Sequence, residues 1–374
     1  MRKLSAQYIF TNTGSPLKRG IITVDDNGII TDVEDTNGLP AEKHSVEFYN
    51  GIIAPGFVNC HCHLELSYLK GKIDEGKGLG YFVEQITNHR NHSLNNIKNI
   101  ADADAEMFKE GISLCADICN DNSSFAVKEN SPIKYINLLE TFGLDATKAQ
   151  NQIAEIIKIA EASANHNIPY NFVPHAVYST SLALFRLLKK LGCANEVTSI
   201  HFMEKENEIE FLTSNTELLV KSHIDAVLNE ITTSGNLMLI HNIFITSDVV
   251  KSVTQRPNLF FCLCPASNIY IEKKLPPVYM LKAETENIVI GTDSLASNKK
   301  LSILEELKIL QNNFPDITFS ELIKWATING ATALGKKENF GTIECGKKPG
   351  LILIENMDLE NMKLKPESFV KRLI

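Results

Sequence analysis

The sequence predicts an α/β protein: a (β/α)8 TIM barrel carrying a small β-sandwich built from the N- and C-terminal segments. Three observations lead there. Eight apolar runs of strand length alternate with segments of helical periodicity. Histidines and acids stand at the C-terminal ends of several of those runs, where such a barrel gathers its functional groups. Short strand-like stretches broken by turn signals occupy both ends of the chain.

The stretch Tyr8 to Val46 reads as short strands with turns at Asn12-Thr13-Gly14, Asp25-Asp26-Asn27-Gly28 and Asn37-Gly38. The eight candidate strands then follow as Ile53 to His61, Ile112 to Ile118, Lys134 to Glu140, Asn171 to His175, Thr198 to Phe202, Leu237 to His241, Leu259 to Cys264 and Ile288 to Asp293. Between them, Ala149 to Ala164 repeats apolar residues at helical intervals, and Ile303 to Gln311 follows the last strand in the same way. The segment from Leu64 to about Asn99 is long for a connection and includes a helical stretch, as expected of a loop that covers a site. After Gly335, strand character returns in Gly341-Thr342-Ile343-Glu344 and Leu351 to Ile354. The expected division is 1–53 with 341–374 as the sandwich and 54–340 as the barrel. An open doubly wound sheet would show a similar alternation, but its Gly-rich nucleotide turn, G-x-G-x-x-G or a P-loop, is not found.

With 374 residues, 44% of them hydrophobic and 22% charged, the chain can bury a large core. A net charge of -8 gives no electrostatic footprint for nucleic acid, so a small-molecule partner is expected; a homo-oligomer is compatible with the sequence. Met1 to Gly20 lacks the apolar core of a signal peptide and no stretch reaches the roughly 18 apolar residues of a spanning helix, so a cytoplasmic protein with no membrane partner is expected. Eight cysteines without Cys-x-x-Cys spacing read as reduced, mostly buried thiols, with Cys60, Cys62, Cys262 and Cys264 as core packing.

The strongest local signal is Pro55-Gly56-Phe57-Val58-Asn59-Cys60-His61-Cys62-His63. Two histidines at alternate strand positions project to one side, so both imidazoles can reach one cation. Three more apolar runs end in polar residues: Ile200-His201-Phe202-Met203-Glu204, Ile240-His241-Asn242 and Gly291-Thr292-Asp293-Ser294. Each alone reads as a hydrogen-bonded structural residue. Together they converge on one rim.

In this ordered set the chain resembles the amidohydrolase superfamily, in particular its aminohydrolases acting on purines, pyrimidines and related rings. The resemblance also takes in Val173-Pro174-His175-Ala176-Val177-Tyr178-Ser179, Cys264-Pro265-Ala266-Ser267-Asn268 and Gly341-Thr342-Ile343-Glu344-Cys345-Gly346-Lys347-Lys348. It implies metal ligands at His61, His63, His201 and Asp293, with Asp293 also accepting the water proton. Glu204 would shuttle protons, His241 would orient the water or polarise the carbon under attack, and His175 would line the substrate pocket. The alternative for Glu204 is a solvated helix face, because the stretch from Glu204 to Glu210 is acid-rich. Strand four ends in His175 where binuclear relatives carry a bridging lysine, which implies one divalent ion, zinc before iron. Pro349-Gly350 departs from the Ala-Asp of many relatives, in the sandwich and away from the chemistry.

The activity implied is hydrolytic deamination of an amino-substituted heterocycle. His63-Leu64-Glu65-Leu66-Ser67 with Tyr81-Phe82 and Arg90 looks most like enzymes acting on adenine-type nucleosides such as adenosine, S-adenosylhomocysteine or aminofutalosine. Glu65 would then bind a sugar hydroxyl and Arg90 a carboxylate; the alternative for both is an ordinary surface residue. Other cyclic C–N substrates (guanine, cytosine, lactams or imidazolones) and hydrolytic dechlorination are the competing readings, since one scaffold hosts many substrates. The zinc signature of cytidine deaminases, H-x-E followed by P-C-x-x-C, is absent. A barrel that had lost its chemistry would lack a ligand or the shuttle, and every expected position is filled.

Overall fold

A computed structural model of the chain describes residues 1–39, 45–89, 96–206, 208, 228–229 and 235–374. Five strands open it: β1 (Arg2–Ile9), β2 (Leu17–Lys18), β3 (Ile21–Val24), β4 (Ile30–Glu34) and β5 (Val46–Pro55). Eight follow with helices between them: β6 (Phe57–Cys62), β7 (Ile112–Cys119), β8 (Lys134–Thr141), β9 (Tyr170–Pro174), β10 (Val197–Phe202), β11 (Asn236–His241), β12 (Leu259–Leu263) and β13 (Ile288–Ile290). Two close it, β14 (Leu351–Glu355) and β15 (Phe369–Arg372).

The eight middle strands form two parallel sheets, β6-β7-β8-β9 and β10-β11-β12-β13. Single parallel bridges link them on both sides, Ala176 with His201 and Cys62 with Asp293. Parallel strands covered by helices are apolar on both faces, and all eight residues of β7 are buried. One buried cluster draws Val58, Leu114, Ile136, Val173, Val197, Met238, Phe260 and Val289 from the eight strands in turn. The alternate positions, such as Phe57, Ile200, Phe202, Leu239 and Ile290, pack outward with Leu304, Leu307 and Trp325 of the surrounding helices. Strands β7 to β12 match their expected spans to within one residue at each end, and the helices Ala149–Asn165 and Ile303–Asn313 stand where apolar periodicity put them.

The two chain ends meet, in a seven-stranded sheet ordered β15-β14-β5-β1-β3-β4 with β2 paired to β1. One of its faces packs Leu4, Ile22, Ile53 and Leu353 together, while Ile52, Ala54, Ile352 and Ile354 join the main core. The expected strand Ile53 to His61 is therefore two strands. Its first residues belong to β5, paired with β14, and the chain passes at Gly56 into β6, paired with β7. Gly56 permits the crossing: a Cβ there would lie 1.9 Å from Ser113 Oγ and 2.8 Å from the Pro349 carbonyl oxygen. All eight cysteines are free thiols, and Cys60, Cys62, Cys115, Cys119, Cys262 and Cys264 are buried. Among the described residues no helix is long and apolar enough to cross a membrane.

The crowding at Gly56 makes a stability prediction. Gly56→Ala should lower the unfolding free energy by about 1–3 kcal/mol, the usual cost of overpacking. Urea unfolding would measure it, and an unchanged midpoint would show that β7 gives way freely.

Candidate metal centre and active site

The strand ends bring seven polar side chains together at one cleft. His61 lies in β6 and His63 directly follows it, their Nε2 atoms 3.2 Å apart. Asp293 Oδ1 stands 3.8 Å from His61 Nε2 and 3.6 Å from His63 Nε2. Two overlapping sets have all their potential ligand atoms within 4.8 Å of one another: His61 with His63 and Asp293, and His61 with His201 and His241. Gly291 allows β13 to come this near, because a Cβ there would lie 2.7 Å from His61 Cβ. The amides of Thr292 and Asp293 both donate to the His61 carbonyl at 3.0 Å.

Hydrogen bonds fix the orientation of these groups. Asp293 Oδ2 accepts from Ser267 Oγ at 2.5 Å and Ser297 Oγ at 2.8 Å, which leaves Oδ1 to the imidazoles. His201 Nδ1 donates to the His175 carbonyl at 3.0 Å, which leaves Nε2 as its ligand atom. His241 Nδ1 lies 2.9 Å from Asn268 Oδ1, and its Nε2 is 3.5 Å from Glu204 Oε2. Tyr178 Oη donates to the other oxygen, Glu204 Oε1. His175 stacks on His201 with ring centroids 4.6 Å apart and its Nδ1 lies 2.8 Å from Ser179 Oγ.

The donor set suits a divalent ion. Burial, then the neighbouring imidazoles, push His61 well below its ordinary pKa. Burial brings His63 down to about 4 against the pull of Asp293 and Glu140. Burial alone would raise Asp293, but His63, His241 and the two serine hydroxyls hold it low. Neutral His61 and His63 beside a carboxylate are the protonation states a metal requires, while at His201 burial is outweighed by Glu204, Glu140 and Asp293, which raise its pKa. His61 Nδ1 is also buried with no hydrogen-bond partner among the described residues.

The cleft above these groups has a volume of 310 Å³. Its floor is His63, His201, His241, Asp293 and Glu204, and its wall includes Leu66, Leu79, Phe82, Val83, Ile86 and Ile271. The helix Gly78–His89, within the long segment after β6, supplies four of those wall residues. A larger cavity of 710 Å³ lies at the opposite end of β7 and β8, lined by Lys134, Tyr135, Lys348 and Arg372 among others. It has no imidazole or carboxylate side chain in its lining, so the chemistry points to the smaller one.

His61, His63, His201, His241, Asp293, Glu204 and His175 are thus brought together. Glu204 is 5% exposed, which removes the solvated-face alternative. Glu65 is buried elsewhere: its Oε2 accepts from the amides of Asn120 at 2.9 Å and Asp121 at 3.3 Å, and it lines a separate cavity of 140 Å³. Burial and Asp121 raise its pKa to about 8. This is the geometry of a group holding the turn after β7. Arg90 lies outside the described residues. Sequence reasoning gave no role to Tyr178, Ser267 or Asn268, although all three stand in the motifs quoted above. It missed Glu140 entirely, a buried carboxylate in the cleft wall whose Oε1 is 3.5 Å from His201 Nδ1. Position at the end of an apolar run was the available signal.

The chain matches the amidohydrolase family model over residues 52–371. It belongs to that family. It is 26% identical over 359 residues to the 5'-deoxyadenosine deaminase of Methanobrevibacter smithii, covering 90% of this chain and 79% of that protein. The crystal structure of Helicobacter pylori aminofutalosine deaminase in complex with methylthio-coformycin superposes with a TM-score of 0.78 at 22% identity, covering 100% of both chains. An adenosine deaminase from Xanthomonas campestris with bound zinc gives 0.76 at 21% identity, covering 97% of this chain and 86% of that one. At such identities these structures speak for the fold, which is of the TIM-barrel type.

The depressed histidines give a pH prediction. From its ordinary 6.5 down to about 4, the unfolded chain takes a proton on His63 that the folded, metal-free protein refuses. Stability of the metal-free protein is therefore lost as pH falls through that window. NMR of the metal-free protein at about pH 5 should find the His63 ring still neutral; a ring fully protonated there would mean that the site is wetter than its burial indicates.

Proposed function

We propose that this family member is a hydrolytic deaminase that releases ammonia from an amino-substituted heterocycle, with adenine-type nucleosides as substrate class and one divalent ion, zinc in preference to iron, as cofactor. The observation that carries it is the meeting, in one cleft, of the donors His61, His63, His201 and Asp293 with a buried carboxylate, Glu204, and a further imidazole, His241. Family membership supports the hydrolytic class, and the relative named a 5'-deoxyadenosine deaminase supports the adenine nucleoside. We read the two parallel sheets as one closed (β/α)8 barrel of residues 54–340, and the terminal sheet as a small sandwich of 1–53 and 341–374. The bridges on both sides and the buried cluster shared by eight strands support the first, and the separate apolar layer of the terminal sheet supports the second.

A divalent ion would be held by His61, His63, His201 and Asp293 and would supply Lewis acidity there, lowering the pKa of water towards neutrality. Asp293 Oδ1, left free by the two serine bonds, takes the water proton as oxygen adds to the amino-bearing ring carbon. Glu204 protonates the adjacent ring nitrogen and His241 stabilises charge developing at the carbon under attack. The proton held on Asp293 then passes to the amino group, the C–N bond breaks to release ammonia, and the remaining hydroxyl proton returns to Glu204 as the ring carbonyl forms. His175 borders the ring, and the apolar wall covers the part of the ligand away from it.

Metal-replete protein should contain about one tightly bound divalent ion per chain. Elemental analysis decides it, and two equally tight ions, or none after reconstitution, would overturn the mononuclear reading.

Ammonia release from adenosine, 5'-deoxyadenosine, adenine and cytosine, assayed on one preparation, tests the function. Both nucleosides should exceed the free bases in kcat/KM by on the order of tenfold or more, because binding energy at the wall aligns the reacting carbon. Cytosine as best substrate, or a lactam hydrolysed while no amino-heterocycle releases ammonia, would refute the nucleoside reading.

A further inference from the structure

We propose that Tyr178 is a positioning residue for Glu204: its hydroxyl holds one carboxylate oxygen so that the other faces His241 and the reacting ring. The inference rests on the proton-shuttle role given to Glu204 above. Glu204 Oε1 accepts from Tyr178 Oη, and Oε2 stands 3.5 Å from His241 Nε2. The carboxylate is thus restrained at one oxygen and presented at the other. The terminal torsion of a glutamate is broad and roughly two-fold, so an unrestrained carboxylate would sample orientations in which neither oxygen points at the ring. Both groups border the cleft.

The tyrosine is itself held. It sits in the short turn Val177–Ser179 that follows β9, where the Ser179 carbonyl accepts from the Gly143 amide at 2.8 Å and Ser179 Oγ meets His175 Nδ1. Burial, followed by the Glu204 charge, keeps its phenol well above the ordinary pKa, so it stays a donor at neutral pH. On the other side, the Glu204 amide donates to Glu208 Oε2 at 3.1 Å, which fixes the backbone from which the carboxylate projects. Tyr178 donates its hydrogen bond to Glu204, and its ring lies 5.9 Å from that of His175. It acts through Glu204, and a loss there should appear in turnover and leave binding nearly unchanged.

A double-mutant cycle with Tyr178→Phe and Glu204→Gln tests this, with kcat, KM and metal content measured for all four proteins on the best nucleoside substrate. Phenylalanine keeps the ring and removes only the donor. Tyr178→Phe should lower kcat on the order of tenfold, the scale of one hydrogen bond to a charged group, with KM within about twofold and metal content unchanged. Glu204→Gln should lower kcat at least about a hundredfold. In the Glu204→Gln background, Tyr178→Phe should cost nothing further, because the oriented group is already gone. A Tyr178→Phe protein with normal kcat, or one losing the same factor in both backgrounds, would overturn the positioning role while leaving the shuttle intact. Near-normal turnover of Glu204→Gln would instead refute the shuttle, and the Tyr178 role with it.

Discussion

Everything at this site depends on how closely the end of β13 approaches β6. The two strands meet through backbone: two consecutive amides, Thr292 and Asp293, donate to one carbonyl, that of His61. Only a residue without Cβ fits at Gly291, beside His61. Asn59 fastens the same contact from below, donating to Thr292 Oγ1 at 2.8 Å and accepting from the Thr292 amide at 3.1 Å. The other flank of β6 is tied to β7, where Asp117 Oδ1 accepts from the Leu64 amide and Oδ2 pairs with buried Lys128 at 2.5 Å. His61 and His63 therefore lie between main-chain bonds to the end of β13 and the Asp117 carboxylate of β7, and Asp293 is delivered opposite them with its second oxygen already occupied by Ser267 and Ser297. A ligand set arranged this way needs little reorganisation to accept a cation.

The backbone is strained where it presents these groups. Met203, His241, Asn242 and Asp293 all adopt positive φ, at 49°, 72°, 59° and 56°, without being glycine. Such residues cost of order 1–3 kcal/mol each and persist where surrounding contacts over-determine them. Here the contacts are visible: the Asn242 amide donates to Phe202, and the Phe244 amide donates to Met203 at 2.8 Å. The turn has a purpose at His241. Simple alternation along β11 would put it on the side of Leu237 and Leu239, which pack outward with the helices, yet its ring lies 5.7 Å from that of His61. The left-handed conformation at the strand end is what accompanies that reversal.

That reversal also marks the limit of what the sequence reveals. Strand spans β7 to β12 are legible because parallel, doubly buried strands are nearly continuous apolar runs, and the histidines and acids that interrupt them stand out against that background. His61, His63, His201 and Asp293 were readable for this reason. Gly56 was not readable as a crossing between sheets, because both sides of it are equally apolar and periodicity does not register which partner a strand takes. Glu65 follows His63 by two positions, but the 3₁₀ turn Leu64–Leu69 directs its carboxylate to the amides of Asn120 and Asp121, a placement that sequence neighbourhood does not register. Glu140 ends an apolar run and Tyr178 stands in a quoted motif, but neither position alone says what the side chain does. Their meaning is set by residues some 60 and 26 positions away, Glu140 beside His201 and Tyr178 against Glu204.

The same distinction explains the shape of the cleft. Its floor comes from the ends of β-strands, whose positions are fixed by sheet hydrogen bonds, and its chemistry is correspondingly specified atom by atom. Its wall comes largely from the helix Gly78–His89, which contributes Leu79, Phe82, Val83 and Ile86 and packs chiefly against the helix Pro265–Glu272 rather than into the sheets. Tyr81, Phe82 and Ile86 also rest on a small satellite cluster of Leu69, Ile73 and Ala296, away from the main core. A floor fixed by sheet hydrogen bonds beneath a separately packed apolar wall lets the two vary independently. Changes in the wall would then alter which molecule fits the cleft, while the placement of Asp293, Glu204 and His241 at the strand ends stays the same.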